Sequence, residues 1–242
     1  MDAIKIEGIT KKYRDVIAVD NLSLSIKEGE LFSLLGVNGA GKTTTIKMLS
    51  CLTQPTFGDA FLLGKSIRSD ASEVKKIIAV SPQESAIAQG LTVKENLELM
   101  CGVHGFSRDK REAKINELTE LLGIGEVITR KSGKLSGGWK RRLSIAMALI
   151  SEPKILFLDE PTLGLDVIGR SELWDIIRSL KGKITIILTT HYMEEAEALS
   201  DRIAIMRSGK LLICDTAAAI KDRAETDNFE EAFIRIVKGV AK

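Results

Sequence analysis

Nine consecutive residues, Gly36-Val37-Asn38-Gly39-Ala40-Gly41-Lys42-Thr43-Thr44, carry the most specific chemistry in the chain. They fit the phosphate-binding loop pattern, G-x-x-x-x-G-K followed by Ser or Thr. Gly36, Gly39 and Gly41 are expected to free the backbone torsions, so that its N–H groups turn inward on an anion. Lys42 is placed to reach the β- and γ-phosphates of a nucleotide, and the Thr43 hydroxyl to bind Mg²⁺. A second pair of groups, Asp159-Glu160, ends the apolar run at residues 155–158. Two carboxylates at the tip of a buried strand repel each other and resist desolvation unless a cation or a task holds them there. Beside a phosphate loop, Asp159 reads as the outer Mg²⁺ ligand and Glu160 as the general base that polarises water. His191 ends a β-branched run at residues 184–190 and is a further candidate for the same site.

Other positions carry less by themselves. Ser136 is a good N-cap, and with Gly137 and Gly138 it opens a helix whose N–H donors are exposed. Lys140-Arg141-Arg142 behind it reads as a basic helical surface. Tyr13 sits in a polar stretch just before a strand, either as a base-stacking ring or as a half-buried loop aromatic.

The elements that must position these groups alternate strand and helix. Residues 3–9 alternate apolar and polar and predict a strand, and residues 16–26 one or two more, with a turn at Asp20-Asn21. A strand at 31–35 precedes the loop and a helix at 44–52 follows it, the context a phosphate loop requires. Further strands are expected at 59–63, 76–81, 155–158 and 184–190. A hairpin is expected at 202–214, around Ser208-Gly209. From residue 86 to about 130 the pattern turns helical. Thr92 and Glu95 form a capping box, and a helix over 107–122 stops at Gly123. The helix begun at Ser136 runs to about residue 150, another spans 170–180, and a short one spans 193–199. Residues 216–242 read as helical, basic at the end and without chemistry.

The totals bound the class. A chain of 242 residues with 44% hydrophobic and 28% charged residues describes a globular protein with room for a full core. A net charge of +2 gives no nucleic-acid footprint. Cys51, Cys101 and Cys214 form no disulfide or metal pattern, suit a reducing compartment, and read as small buried apolar residues. The first residues do not form a signal peptide, and no apolar stretch of about 20 residues is present to span a bilayer. A membrane, if one is involved, is expected to be supplied by another chain.

Taken together, the loop at 36–44, Gln83, Leu135-Ser136-Gly137-Gly138, the strand ending in Asp159-Glu160, the loop Pro161-Thr162-Leu163-Gly164-Leu165-Asp166 and His191 resemble the ATP-binding subunit of ABC transporters, over essentially the whole chain. The stretch Thr189-Thr190-His191-Tyr192-Met193-Glu194-Glu195-Ala196-Glu197 resembles the branch that powers multidrug, antibiotic, lipid or ion export. The resemblance implies an α/β fold with a RecA-like P-loop NTPase core at residues 1–85 and 151–242. That core would carry an N-terminal antiparallel β subdomain and an inserted α-helical subdomain at 86–150. Tyr13 would stack on adenine, and the loop from Gly36 through Val37, Asn38, Gly39, Ala40, Gly41, Lys42, Thr43 and Thr44 would hold the phosphates. Gln83 would contact Mg²⁺ and relay to the membrane subunit. Ser136, Gly137 and Gly138 would bind the γ-phosphate of ATP held by the other subunit, Asp166 would cross the dimer interface, and His191 would contact the γ-phosphate.

The implied protein is an ATP hydrolase using ATP and Mg²⁺. It would be paired with a copy of itself or a homologue, attached to a separate membrane permease on the cytoplasmic face of the cell membrane, and have no nucleic-acid partner. The rival readings are a non-transport ABC ATPase acting on nucleic acid or ribosomes, the ATPase subunit of an importer, and a nucleotide-binding regulator without hydrolysis. Val37, Leu163 and Trp139 depart from the family's usual residues; Trp139 stands where glutamine or methionine is common.

Overall fold

The computed structural model describes residues 1–84 and 86–239; the expected boundary residue 85 and the basic end at 240–242 lie outside the described residues. The first structural unit is an antiparallel sheet in the order β2-β1-β4-β5, formed by β1 (Asp2–Tyr13), β2 (Val16–Lys27), β4 (Phe57–Leu62) and β5 (Lys65–Ser66). Strand β2 runs unbroken through the expected turn. Asn21 takes a left-handed φ of +48°, and the Asp20 N–H leaves the ladder to donate to Gly209 O at 2.9 Å. Residues 20–21 therefore form an irregularity in one strand, where the register against β1 also shifts.

The second sheet has the order β10-β9-β3-β8-β7-β6. It comprises β3 (Leu31–Leu35), β6 (Ile78–Ser81), β7 (Ile155–Asp159), β8 (Thr185–Thr190), β9 (Arg202–Arg207) and β10 (Lys210–Asp215). Five of these strands run parallel and β10 is an antiparallel edge. Strands β3, β7 and β8 are buried at every residue, as expected of near-continuous apolar strands covered on both faces. Side chains alternate between the two faces. Leu31, Leu156, Leu158, Ile186 and Leu188 point into one core, Phe32, Leu34, Ile155, Phe157 and Ile187 into the other.

The first core is closed by α3 (Val93–Val103), α4 (Arg108–Leu121), α5 (Gly137–Leu149) and α6 (Val167–Leu180). The second is closed by α1 (Lys42–Leu49), α2 (Ala71–Ile77) and the antiparallel sheet. A smaller third core lies under α7 (Met193–Leu199), α8 (Ala217–Arg223) and α9 (Phe229–Lys238). Lys76 and Ile77, expected in a strand, form the last turn of α2, and β6 begins only at Ile78. Of the three cysteines, Cys101 is buried while Cys51 and Cys214 are half-buried.

Neighbouring β3, β8, β7 and β6 run in the same direction, so their carboxyl ends lie side by side about 4.8 Å apart. The phosphate loop leaves β3, His191 leaves β8, Asp159-Glu160 ends β7, and Gln83 follows β6. Ligands of open parallel sheets bind at this edge.

Candidate nucleotide site

A cleft of about 680 Å³ opens at that edge, lined by Val16, Ile17, Ala18, residues 38–44, Gln83, Glu160, Leu163, His191 and Ser208. The loop is shaped as its glycines require, though not all for the expected reason. Gly39 and Gly41 have φ of +81° and +102°. Gly36 has an ordinary φ, and its constraint is space: a Cβ there would lie 2.5 Å from Met206 O. The first N–H groups of α1 have no intrahelical acceptor and face the cleft with the positive end of the helix.

Glu160 is the centre of the charged groups. One carboxylate oxygen lies 3.3 Å from Lys42 Nζ, and the other 2.6 Å from His191 Nδ1. A carboxylate accepts, so Nδ1 of His191 carries the hydrogen. Lys42 Nζ also donates to Gly36 O at 2.6 Å. The Glu160 backbone is left-handed, with φ of +50°, an uncommon conformation for a residue with a side chain. Its N–H donates to the carbonyl and the hydroxyl of Thr189, both at 3.1 Å. Thr189 also donates its hydroxyl to Asp159. This threonine, read from sequence only as part of a strand, ties both carboxylate residues to β8.

Asp159 lies one residue behind the cleft wall, and Thr43 Oγ1 reaches its Oδ1 at 3.3 Å. A hydroxyl, a carboxylate and the amide of Gln83 on the same wall are hard oxygen donors. No group of three or more His, Cys, Asp or Glu able to hold a metal occurs among the described residues. A single carboxylate beside a phosphate site is the donor set Mg²⁺ ordinarily takes.

The basic triplet resolves into three different roles. Lys140 is a half-buried side chain. Arg142 stacks 5.0 Å over the Trp139 ring, donates to Leu122 O and pairs with Glu172. Arg141 is 5% exposed and points inward, not to solvent as expected. Its guanidinium donates to Pro82 O at 2.6 Å, Gln83 O at 2.7 Å and Glu160 O at 3.3 Å. Burial pulls Arg141 below its ordinary value, while Asp159, Glu195 and Glu160 pull it back up. Three consecutive cations look alike in sequence; only the packing of α5 on the sheet separates them.

Glu195, also unassigned from sequence, is completely buried. It accepts from Trp174 Nε1 at 3.1 Å. The hydroxyls of Thr190 and Thr162 act on the carboxyl, but neither Glu195 Oε2 nor Thr162 Oγ1 has a well-formed hydrogen bond. Burial pushes Glu195 above the usual carboxylate range.

The structure does not bring the remaining candidates into this cleft. Tyr13 is 45% exposed at the end of β1, with Lys11 Nζ 5.0 Å from its ring, and is not part of the lining. Its pairing partner Val16 is, together with Ile17. Ser136, Gly137, Gly138 and Asp166 line a separate cavity of about 320 Å³ that shares no residue with the first. Ser136 occupies the N-cap position of α5, but its side chain makes no capping hydrogen bond. Asp166 does cap a helix, its Oδ1 accepting from Gly169 N at 2.7 Å at the start of α6.

Comparison with known proteins places this geometry. The family model described as "ABC transporter" matches residues 19–163. The daunorubicin/doxorubicin resistance ATP-binding protein DrrA of Streptomyces peucetius is 40% identical over 220 residues, 90% of this chain and 67% of DrrA. Human phospholipid-transporting ATPase ABCA3 is 41% identical over 224 residues, covering 91% of this chain but 13% of ABCA3, so the chain spans a small part of that relative. The dimeric ATP-binding cassette MJ0796, solved in a post-hydrolysis state with ADP and Pi, superposes with a TM-score of 0.79 at 28% identity over 88% of this chain and 98% of that one. With its two sheets and phosphate loop, the chain belongs to the ABC transporter family, as an ATP-binding cassette of the ABC ATPase type.

Proposed function

We propose that the chain hydrolyses ATP to drive export through a separate membrane permease, working as a pair of cassettes on the cytoplasmic face of the cell membrane. The observation that carries the catalytic part is Glu160. Its carboxylate is held between Lys42 and His191 at the open end of the sheet, on a left-handed backbone. In this reading ATP lies along the loop from Gly36 to Thr44, with adenine against Val16, Ile17 and Tyr13. Lys42 balances the β- and γ-phosphates. Thr43, Asp159 and Gln83 would hold Mg²⁺, which would supply positive charge against the negative charge on the phosphates. Glu160 takes the proton of a water whose oxygen attacks the γ-phosphorus. The bond to the bridging oxygen breaks, and ADP leaves with the electron pair. His191 orients Glu160 through Nδ1 and contacts the γ-phosphate.

The separation of Ser136, Gly137, Gly138 and Asp166 from this cleft supports pairing. The signature Ser136-Gly137-Gly138 of one chain would close on the γ-phosphate held by the next, an identical or a homologous cassette. No helix among the described residues is long and apolar enough to cross a membrane, so this reading assigns the crossing to a permease. The relatives' names, drug resistance for DrrA and phospholipid transport for ABCA3, support export of an amphipathic cargo.

Glu160→Gln tests the catalytic step. It keeps the shape and removes the base, so ATPase turnover should fall by about 10²–10⁴-fold. Binding of a fluorescent ATP analogue should change by less than about threefold, because the phosphate contacts remain. Parental turnover in this variant removes Glu160 from the reaction.

A further inference from the structure

Arg141 is not one of the groups that face the cleft, yet it holds the backbone behind two that do. It projects from the second turn of α5, the helix that begins at Gly137. Its guanidinium is buried and spends its donors on main-chain carbonyls of two other segments, Pro82 and Gln83 after β6, and Glu160 after β7. Among the described residues no carboxylate is a hydrogen-bond partner of this guanidinium. A planar fork that bonds three carbonyls fixes the direction of each peptide it touches, which a point-charge ammonium cannot do.

The constraint matters most at Glu160. Its N–H is fixed by Thr189 on β8 and its carbonyl by Arg141 on α5. Together they hold the peptide units on both sides of a left-handed φ that an unrestrained glutamate seldom adopts. The same conformation aims the side chain between Lys42 and His191.

We infer that Arg141 is a positioning residue, locking Gln83 and the strained Glu160 backbone to the helix that starts with Gly137 and Gly138. Any tilt of α5 then moves Gln83 and Glu160 with it, and the half-site the chain keeps is geared to the half-site it presents elsewhere. The inference rests on the hydrolysis reading for its kinetic consequence, and on the hydrogen bonds alone for its structural one.

Arg141→Lys and Arg141→Gln, in the full chain, separate the two. The lysine retains a cation that one or two carbonyls can hold and is the variant expected to melt cooperatively. ATPase kcat should fall by about tenfold or more in Arg141→Lys, and binding of a fluorescent ATP analogue should change by less than about threefold, since no loop contact is touched. In the same protein, amide hydrogen exchange should accelerate in the peptides containing Gln83 and Glu160 and stay parental in the peptide containing residues 38–44. Parental kcat in Arg141→Lys overturns the inference, as does unchanged exchange at both segments. A lower melting temperature with parental kcat per folded molecule also overturns it, reducing Arg141 to a packing residue. Exchange needs no turnover, and Glu160→Gln assayed alongside reports the hydrolysis reading separately, so the two failures are distinguishable.

Discussion

A buried carboxyl that is neither base nor ligand still leaves a mark on pH behaviour. Glu195 lies four residues after His191, completely buried, with Trp174 as its well-formed donor. Burial raises it above its ordinary 4.5, against the opposing pull of the nearby Thr190 and Thr162 hydroxyls and the Trp174 N–H. The folded chain therefore keeps this proton at pH values where the unfolded chain has released it. Stability from Glu195 is fully present below its ordinary value and is lost as pH rises through the raised one. Glu195→Gln, neutral at every pH, has no such loss. The melting temperature of the parent relative to Glu195→Gln should be constant below about pH 4.5, decline as pH rises from there, and level off once the raised value is passed. Other titrating groups are common to both proteins and cancel, so a difference that is flat with pH rules out the raised carboxyl.

Individual elements were legible where a local rule decides them. The β-branched run of β8 and the apolar run of β7 are buried strands because nothing else accommodates them. The capping box at α3 is realised in both directions: Thr92 Oγ1 accepts from Glu95 N at 3.2 Å, and Glu95 Oε2 accepts from Thr92 N at 2.6 Å. Thr92→Ala removes the first of these and should cost about 1 kcal/mol. In a chain of this size that lowers the melting temperature by roughly 2–4 °C, readable by circular dichroism. An unchanged melt would mean that the first turn of α3 is held by its tertiary contacts alone.

Where tertiary contacts decide, the sequence was mute. Helix α2 ends directly against β6, so Lys76 and Ile77 merged with the apolar run that follows. At the irregularity of β2 the Asp20 N–H bonds Gly209 O, far along the chain. The site candidates Lys42 and Thr43 were readable from the phosphate-loop pattern that opens α1, and Asp159, Glu160 and His191 from their places at or just past the ends of β7 and β8. Thr189, Arg141 and Glu195 were not, since their roles come from burial, which spacing alone does not report.

At the scale of the whole molecule the two cavities make a claim about assembly. The loop cavity and the signature cavity belong to one chain but share no lining residue. On the proposed reading a second chain supplies the missing half. If Glu160 is the base, Glu160→Gln should trap that assembly, since it would remove one negative charge near the triphosphate and stall hydrolysis. With Mg-ATP, the variant should elute as a dimer in size-exclusion chromatography with light scattering. Adding Ser136→Arg should return it to monomer while leaving its own ATP-analogue binding within about threefold of parental. A dimer that persists in the double variant would show that the signature does not face the nucleotide.

The order of the parallel sheet also bears on how the chain is made. Strand β3 delivers the phosphate loop, yet its two neighbours come from the far end of the sequence: Leu31 pairs with Ile186, and Phe32 with Arg202. A ribosome adding about 5–20 residues per second needs on the order of ten seconds to travel from one partner to the other. Throughout that interval the early hairpin of β1 and β2 can close, but the loop has no back wall, and both edges of β3 stand open. Nascent chains should thus be unable to recognise nucleotide until β8 and β9 have been synthesised. Products released before β8 should expose an apolar, unpaired strand and depend on chaperones to stay out of aggregates.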